Sequence, residues 1–122
     1  MIRDALETYV KGMMLCDSEM VASVFTEDCI WDDAAAWTID GWVMPPFIRG
    51  RKALKEYLDD RHFADPAKHG TLQLEIVKIM GNVMFYDVTD CGTLIKAVGV
   101  AEMKDGLIHR YTIRQRIDEE DE

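Results

Sequence analysis

Apolar residues at the beginning of the chain follow the period of an α-helix. They recur at i, i+3, i+4, i+7, i+8 and i+11, which lines one helix face: Ile2, Ala5, Leu6, Tyr9, Val10 and Met13. Asp17, followed by a serine, is an N-cap signal for a second, short helix. The apolar residues of that helix are Met20, Val21, Val24 and Phe25. Because the helical period returns in RKALKEYLDDRHF, residues 51–63, the pattern predicts three helices.

The segment between the second and third helices has no helical period. DCIWDD is predicted to be a short strand, and residues 34–50 after it are rich in tryptophan, glycine and proline. A loop of this length is long for a compact domain and is typical of a lid or a binding element. Its large aromatic residues, Trp37 and Trp42, are either lid anchors or contacts to a second subunit.

From residue 71 onward the apolar period changes to two. Four β-rich segments follow one another, TLQLEIVKIM, NVMFYDVTD, TLIKAVGVAEM and LIHRYTIRQRI, separated by the hairpin signals Gly81-Asn82, Cys91-Gly92 and Lys104-Asp105-Gly106. They predict an antiparallel meander. Helices followed by such a sheet make an α+β domain in which the helices cover one face of the sheet. We expect residues 1–117 to form this single domain and residues 118–122 to form an acidic disordered tail.

Composition and charge argue against several classes of protein. A chain of 122 residues that is 48% hydrophobic has the size of one domain with a single core. Its net charge of -9 repels phosphate backbones and anionic lipids, so we expect no nucleic acid and no membrane partner. No apolar run approaches the roughly 18 residues of a membrane span. The charged amphipathic N-terminus differs from a signal peptide, so we expect a cytoplasmic protein.

The cysteines indicate neither a disulfide framework nor a metal site. Cys16, Cys29 and Cys91 are odd in number, widely spaced and without a CxxC pair. We therefore predict three reduced thiols. The sequence implies no metal, nucleotide or flavin, so no cofactor is expected.

Two adjacent carboxylates after a tryptophan are the first candidates for chemistry. Successive side chains of a strand point to opposite faces, so Trp31 and Asp33 share one face while Asp32 points to the surface. If Trp31 faces inward, Asp33 lies in a poorly hydrated pocket, where desolvation raises the pKa of a carboxyl group. Asp33 is then a candidate general base or acid. The alternative is a strand-end carboxylate that caps the following turn.

Other candidate residues also have two interpretations. Tyr9 is either a pocket hydroxyl or a core aromatic residue whose hydroxyl is satisfied locally. Asp87 lies on the same strand face as Val83, Phe85 and Thr89, and it is either a pocket group or an exposed edge residue.

The last strand carries a row of three arginines and one threonine on one face. The row is formed by Arg110, Thr112, Arg114 and Arg116, opposite Tyr111, Ile113 and Gln115. It is either an ordinary solvated face or part of a twofold interface in which arginines meet acidic groups.

The order of the elements resembles a known fold. Two helices, FTEDCIWDD, a loop ending in Gly-Arg, a third helix and four strands that close on MKDGLIHRY resemble the nuclear-transport-factor-2-like fold over essentially the whole chain. Ketosteroid isomerase, limonene epoxide hydrolase, scytalone dehydratase and SnoaL-like polyketide cyclases share this fold. The resemblance implies a cone-shaped curved antiparallel sheet covered by three N-terminal helices, also described as a cystatin-like roll. It further implies a homodimer through the outer sheet face.

Residues 9–33, YVKGMMLCDSEMVASVFTEDCIWDD, are similar to ketosteroid isomerase without a gap. The similarity places Tyr9 on the oxyanion-hole tyrosine of that family and Asp33 on its base. Gly99 takes the place of the acid that completes the oxyanion hole.

Two other segments are similar to limonene epoxide hydrolase, MPPFIRGR at residues 44–51 and VGVAEMKDGLI at residues 98–108. The aspartate, arginine and aspartate of that family correspond to Asp87, Thr89 and Ile113, so the set is not reproduced, and Asp33 replaces its water-positioning asparagine.

His69, in KHGTLQLEI, resembles a histidine of the dehydratase and dehydrochlorinase branch. Its other interpretation is a solvent-exposed histidine in a turn.

These residues predict a cofactor-independent enzyme that acts on a small apolar molecule by general acid/base chemistry. Isomerase, dehydratase, cyclase and epoxide hydrolase activities are all compatible with the catalytic candidates Asp33, Tyr9 and Asp87. The predicted substrate pocket is lined by Trp31, Trp37, Trp42, Phe85, Gly99, Tyr111, Ile113 and His69. The alternatives are a noncatalytic dimeric domain that binds a small hydrophobic ligand and a purely structural partner domain.

Overall fold

The helices of the structure lie in the first half of the chain. The computed structural model describes residues 2–33, 47–62, 73–90 and 92–116. The helices are α1 (Ile2–Met14), α2 (Ser18–Ala22) and α3 (Arg51–Tyr57), and α3 continues into a π-helical turn, Leu58–His62. Trp37, Trp42, His69, Cys91 and the predicted tail lie outside the described residues. None of the helices within the described ranges is long and apolar enough to cross a membrane.

Six strands form one sheet. They are β1 (Phe25–Asp33), β2 (Phe47–Arg49), β3 (Gln73–Met80), β4 (Val83–Asp90), β5 (Thr93–Lys104) and β6 (Leu107–Gln115). Their order in the sheet is β2-β1-β6-β5-β4-β3, so the predicted meander is confirmed. β1 joins β6 in parallel, and the other pairings are antiparallel. The prediction of an uninterrupted loop over residues 34–50 is wrong at β2, which pairs with β1.

The sheet curls around α1. The helix contacts β6 and β3, two strands that are separated in the sheet by β5 and β4. Contact with both strands is expected where the sheet curves towards the helix. The sheet therefore curves into a cone with α1 across its open side, and the predicted α+β cone is confirmed.

The turn between α1 and α2 depends on two residues. The Asp17 side chain accepts a hydrogen bond of 3.1 Å from the backbone N–H of Met20, so the predicted N-cap is confirmed. Gly12 lies against α2, where a Cβ atom would be 2.8 Å from Cγ2 of Val21. The absence of a side chain at Gly12 therefore allows the two helices to pack closely. Val24 and Phe25 do not belong to α2 as predicted, because the helix ends at Ala22 and Phe25 begins β1.

Alternation along the strands separates the residues of the cone interior from those of the outer sheet face. Interior positions hold buried side chains, with Trp31 on β1, Met84 and Tyr86 on β4, and Tyr111 and Ile113 on β6. β5 contributes the small residues Ala97, Gly99 and Ala101 to the same side. Within the described ranges, Cys16 and Cys29 are free thiols, and no cluster of His, Cys, Asp and Glu residues has the geometry of a metal site.

Candidate functional site

Asp33 lies at the end of β1 and points into the cone. It pairs with Ile113 of β6, two positions after the pair formed by Trp31 and Tyr111, so all four residues share the inner face. Only 8% of its surface is exposed. A carboxyl group at this place is withdrawn from bulk water and is surrounded by apolar and aromatic side chains.

The indole of Trp31 and the phenol of Tyr9 form a polar contact next to this carboxyl group. Trp31 Nε1 donates a hydrogen bond of 3.2 Å to the Tyr9 hydroxyl, which α1 projects into the cone from its apolar face. Both side chains are almost completely buried. The other side of the indole packs on the ring of Tyr57 from α3, with 5.6 Å between ring centroids. The position of Trp31 is thus determined by α1, β1 and α3 together.

A second pair of hydroxyl groups lies on the sheet. The Tyr111 hydroxyl donates a hydrogen bond of 3.3 Å to the Tyr86 hydroxyl, and both residues are buried. The Tyr111 ring also packs against the Tyr9 ring, with 4.8 Å between centroids. Tyr111 therefore lies between Tyr9 and Tyr86, and the three phenols form one aromatic layer inside the cone.

Gly99 provides the space that this arrangement requires. It lies on β5 opposite Met84 and Ile113, beneath the end of the Tyr111 side chain. A Cβ atom at this position would overlap the hydroxyl group of Tyr111. Any other residue would have to displace the Tyr111 ring from the place where it meets Tyr86.

The three phenols are neutral at physiological pH, as ordinary phenols are, and burial opposes their ionisation further. Burial raises the pKa of Tyr9 and of Tyr86 well above the usual value of a phenol, and interaction with ionised Tyr111 and with the Asp33 carboxylate raises both pKa values further. The pKa of Tyr111 is also raised, first by burial, while its hydrogen bond with Tyr86 lowers it in part and the Asp33 charge raises it. The carboxylate thus acts electrostatically on all three hydroxyl groups, which remain hydrogen-bond donors.

The predicted placement of Asp87 and Phe85 in the pocket is wrong. Both lie on the outer sheet face, because β4 turns the alternate residues Met84 and Tyr86 into the core. Asp87 Oδ1 accepts a hydrogen bond of 2.8 Å from Nη2 of Arg116. The same guanidinium group donates to the backbone carbonyls of Tyr86 and Ala97, at 2.6 and 2.8 Å. Asp87 therefore belongs to a cluster that ties β4 and β5 to the end of β6.

Asp32 also lies on the outer sheet face, but the prediction of an ordinary surface residue is wrong. It is 8% exposed, because Arg114 binds both carboxylate oxygens at 3.1 and 3.3 Å and Arg110 lies 3.8 Å away. The arginines of β6 therefore meet acidic groups of their own chain.

Tyr86 lies in the cone interior, which was not predicted from the sequence. Alternation in NVMFYDVTD puts Met84 and Tyr86 on one strand face and Phe85 and Asp87 on the other. The face with Asp87 was predicted to line the pocket because it carries a charged residue. A signal for the correct choice exists on β5, where Ala97, Gly99 and Ala101 alternate with larger residues. Small residues on one strand leave room for large ones beside them, and Ala97 pairs with Tyr86.

Comparison with known proteins supports the fold. No protein-family model and no curated protein matches the sequence. An NTF2-like protein of unknown function from Burkholderia xenovorans has a TM-score of 0.70 at 19% identity, over 93% of this chain and 81% of that chain. A candidate ketosteroid isomerase from Kribbella flavida has a TM-score of 0.67 at 19% identity, over 96% and 78% of the two chains.

A third solved structure is a protein with a ketosteroid isomerase-like fold from Catenulispora acidiphila, in complex with trimethylamine. It has a TM-score of 0.64 at 11% identity, over 90% of this chain and 83% of that chain. At such identities a structural match establishes the fold and leaves the activity open. On the architecture of its sheet and on these structural matches, the chain has the nuclear-transport-factor-2-like fold.

Proposed function

We propose that this protein is a cofactor-independent enzyme that acts on a small apolar molecule by general acid/base chemistry inside the cone. The observation that carries the proposal is the burial of the Asp33 carboxyl group on the inner face of β1, where its charge acts on three phenols. A titratable group buried among apolar side chains beside a set of donors is the usual arrangement of a proton-transfer site.

Asp33 is the proton acceptor in this proposal. A carboxylate at the end of a buried strand is held by the backbone of two paired strands, since β1 is bonded to both β2 and β6. Such a group has little freedom to turn away from a bound molecule. General base catalysis by a positioned carboxylate contributes about 100- to 10,000-fold to a rate.

Tyr9 is the hydrogen-bond donor. Its oxygen accepts the hydrogen bond of Trp31, so its own proton remains available for another acceptor. The donation from the indole also polarises the phenol and strengthens the hydrogen bond that the phenol can give. A substrate oxygen that gains negative charge would be stabilised at this place.

The surroundings favour an apolar substrate. Ile113 lies beside Asp33 on the neighbouring strand, and Ile95 and Met84 belong to the same interior surface. Such side chains compensate poorly for the lost hydration of a charged ligand, whereas an apolar molecule gains from leaving water.

The experiment that tests the proposal is a screen of small apolar ketones and epoxides in heavy water. Mass spectrometry would detect deuterium incorporation next to the carbonyl group, isomerisation or epoxide opening. Asp33→Asn, which keeps the size of the side chain, should reduce the rate of any reaction found by about 100-fold or more. The matched control is Asp87→Asn on the outer sheet face, which should stay within about twofold of the native rate, since that carboxylate lies outside the cone.

An equal rate in native protein and Asp33→Asn would refute the assignment of the base. Binding of these compounds without any turnover would instead favour the noncatalytic ligand-binding domain. Circular dichroism of each variant would establish that the fold is kept, so that a lost activity is not confused with unfolding.

We also propose that two copies of the chain associate through the outer sheet face. Two apolar cross-strand pairs support this proposal, Phe85 with Val98 and Val83 with Val100, all four half-buried in the single chain. Apolar residues at the centre of a polar rim are typical of a protein–protein interface.

A further inference from the structure

The Tyr86 and Tyr111 hydroxyl groups form a buried polar pair on the sheet side of the cone, facing the Tyr9 ring from α1. The buried side chains on the inner face of β4 and β5 include Met84, Ile95 and Ala97, which carry no hydroxyl, amide or charged group. A pair of hydroxyl groups in such a place is costly unless each proton has an acceptor.

The protons of this site can be followed one by one. Tyr111 donates to Tyr86, so the proton of the Tyr86 hydroxyl needs a different acceptor. Trp31 donates to Tyr9, so the Tyr9 hydroxyl is in the same position. Neither of these two hydroxyl groups finds an acceptor within the ranges that the structure describes. Native proteins rarely keep such a donor without a functional reason, and here two occur together.

Both donors belong to one aromatic layer inside the cone, one from the helix and one from the sheet. The Tyr9 ring packs against the Tyr111 ring at an interplanar angle of 57°, with 4.8 Å between centroids, and the Tyr111 and Tyr86 hydroxyl oxygens are 3.3 Å apart. Ionisation of Tyr9 would raise the pKa of Tyr86 further, so the two phenols are close enough to interact electrostatically. The Asp33 charge acts on both as well.

We propose that Tyr86 is a second hydrogen-bond donor of the site, that Tyr111 is its positioning residue, and that Tyr9 and Tyr86 together bind an oxygen atom of the ligand. The inference rests on the proposed function and deepens it. The ligand class is an apolar molecule that carries a carbonyl or phenolic oxygen, because two phenolic donors match an oxygen acceptor that bears negative charge.

Gly99 is the reason why the sheet can hold this pair. Any side chain at Gly99 would displace the Tyr111 hydroxyl. The absence of a side chain there leaves the space above β5 to the Tyr111 hydroxyl. Arg116 supports the same place from the outer sheet face, where it binds the backbone carbonyl of Tyr86. The donor is therefore fixed through its backbone and through its hydroxyl oxygen.

The test compares two probes of nearly equal shape, β-naphthol and naphthalene, which differ by one hydroxyl oxygen. Fluorescence titration would give the affinity of each probe for native protein, Tyr86→Phe and Tyr111→Phe. Native protein should prefer β-naphthol by about tenfold or more, which is the effect of one to two buried hydrogen bonds. Each variant should lose most of this preference while its affinity for naphthalene stays within about twofold. Glu75→Gln, which changes an exposed carboxylate on β3, is the control and should keep the preference.

A merely structural role of Tyr86 or Tyr111 would change the affinities for both probes equally, so this result would overturn the inference. An unchanged preference for β-naphthol in both variants would overturn it too. In either case the proposed function would stand, because it is judged by the turnover of Asp33→Asn. If native protein bound neither probe, the inference would be refuted, whereas the proposed function would still be judged by the turnover experiment.

Discussion

The indole nitrogen of Trp31 donates a hydrogen bond of 3.2 Å to the Tyr9 hydroxyl and so joins β1 to α1 inside the cone. The two side chains are 1% and 2% exposed, and both belong to the hydrophobic core. The residue proposed to donate to the substrate is therefore also a structural contact between helix and sheet. Function and stability depend on the same atoms here, and substitutions at this contact should change both.

Replacement of Tyr9 by phenylalanine should lower the free energy of unfolding by about 1–2 kcal/mol. The ring and its contacts remain, but the buried indole N–H of Trp31 loses the phenol as its acceptor. Urea denaturation of Tyr9→Phe, Trp31→Phe and the double variant would measure the coupling between the two residues. We expect a coupling energy of about 1 kcal/mol, as for contacting residues generally. Strictly additive effects would show that the hydrogen bond contributes nothing to stability.

The three buried phenols should make the protein sensitive to alkali. The pKa values of Tyr9, Tyr86 and Tyr111 are raised in the folded protein, in each case mainly by burial, whereas phenols of the unfolded chain ionise near pH 10.0. Above that pH the unfolded chain binds fewer protons than the folded protein, so stability falls as the pH rises. Below pH 10 the three phenols add no pH dependence to the stability, because they are protonated in both the folded and the unfolded protein.

The expected slope of the free energy of unfolding against pH depends on how many phenols stay protonated in the folded protein. Each phenol that stays protonated in the folded protein lowers the free energy of unfolding by about 1.4 kcal/mol per pH unit, or about 4 kcal/mol for the three. Ultraviolet absorbance should therefore show three of the four tyrosines ionising together with the loss of circular dichroism. Ionisation of all four phenols while the protein remains folded would contradict this prediction.

Substitution of Gly12 by alanine should destabilise the protein, although alanine is the better helix former by about 1 kcal/mol. The added Cβ would lie 2.8 Å from Cγ2 of Val21 and 3.0 Å from its backbone nitrogen, so α1 and α2 would have to separate. We expect a net loss of about 1–3 kcal/mol, as for other overpacked contacts. Thermal denaturation would measure the loss.

A second substitution distinguishes overpacking from a propensity effect. In the presence of Val21→Ala the closest contact of the new methyl group disappears, so part of the loss caused by Gly12→Ala should be recovered. If Gly12→Ala were instead stabilising, the helices would not be in contact at this point.

The sequence was sufficient for the local elements because their signals are local. The helical period of α1, the Asp17 cap and the turn residues between β3, β4, β5 and β6 depend on neighbours along the chain, and they were predicted correctly. The parallel pairing of β1 with β6 was not predicted, because it joins residues about 80 positions apart and no turn encodes it. β2 was missed because three residues are too few to show a period.

The candidate site was predicted where one strand face was clearly apolar. Trp31 identified the inner face of β1, and alternation then placed Asp33 in the cone. On β4 both faces carry an aromatic residue, Phe85 on one and Tyr86 on the other, so alternation alone could not select the face. The inner face of β4 is determined by a tertiary contact, in which tyrosine rings pack over the small residues of β5. These residues come together only in the folded sheet.

The proposed homodimer gives a prediction about the outer sheet face. Val98 pairs with Phe85 on β4 and with Arg114 on β6, so it lies near the centre of the apolar pairs that support the interface. Val98→Glu would bury a carboxylate in that interface, at a cost larger than most interfaces of modest size can compensate. We therefore expect native protein to sediment as a dimer and Val98→Glu to sediment as a monomer with unchanged circular dichroism.

A matched control is available at the end of α1. Leu15 is 59% exposed and follows the last residue of the helix, away from the outer sheet face. Leu15→Glu makes the same chemical change at an exposed apolar residue, so it should leave the dimer intact. If native protein remained a monomer at all concentrations, or if both variants dissociated equally, the outer sheet face would not be the interface. Dissociation of Val98→Glu alone would identify the interface with the apolar pairs between β4 and β5, because the two variants carry the same added charge.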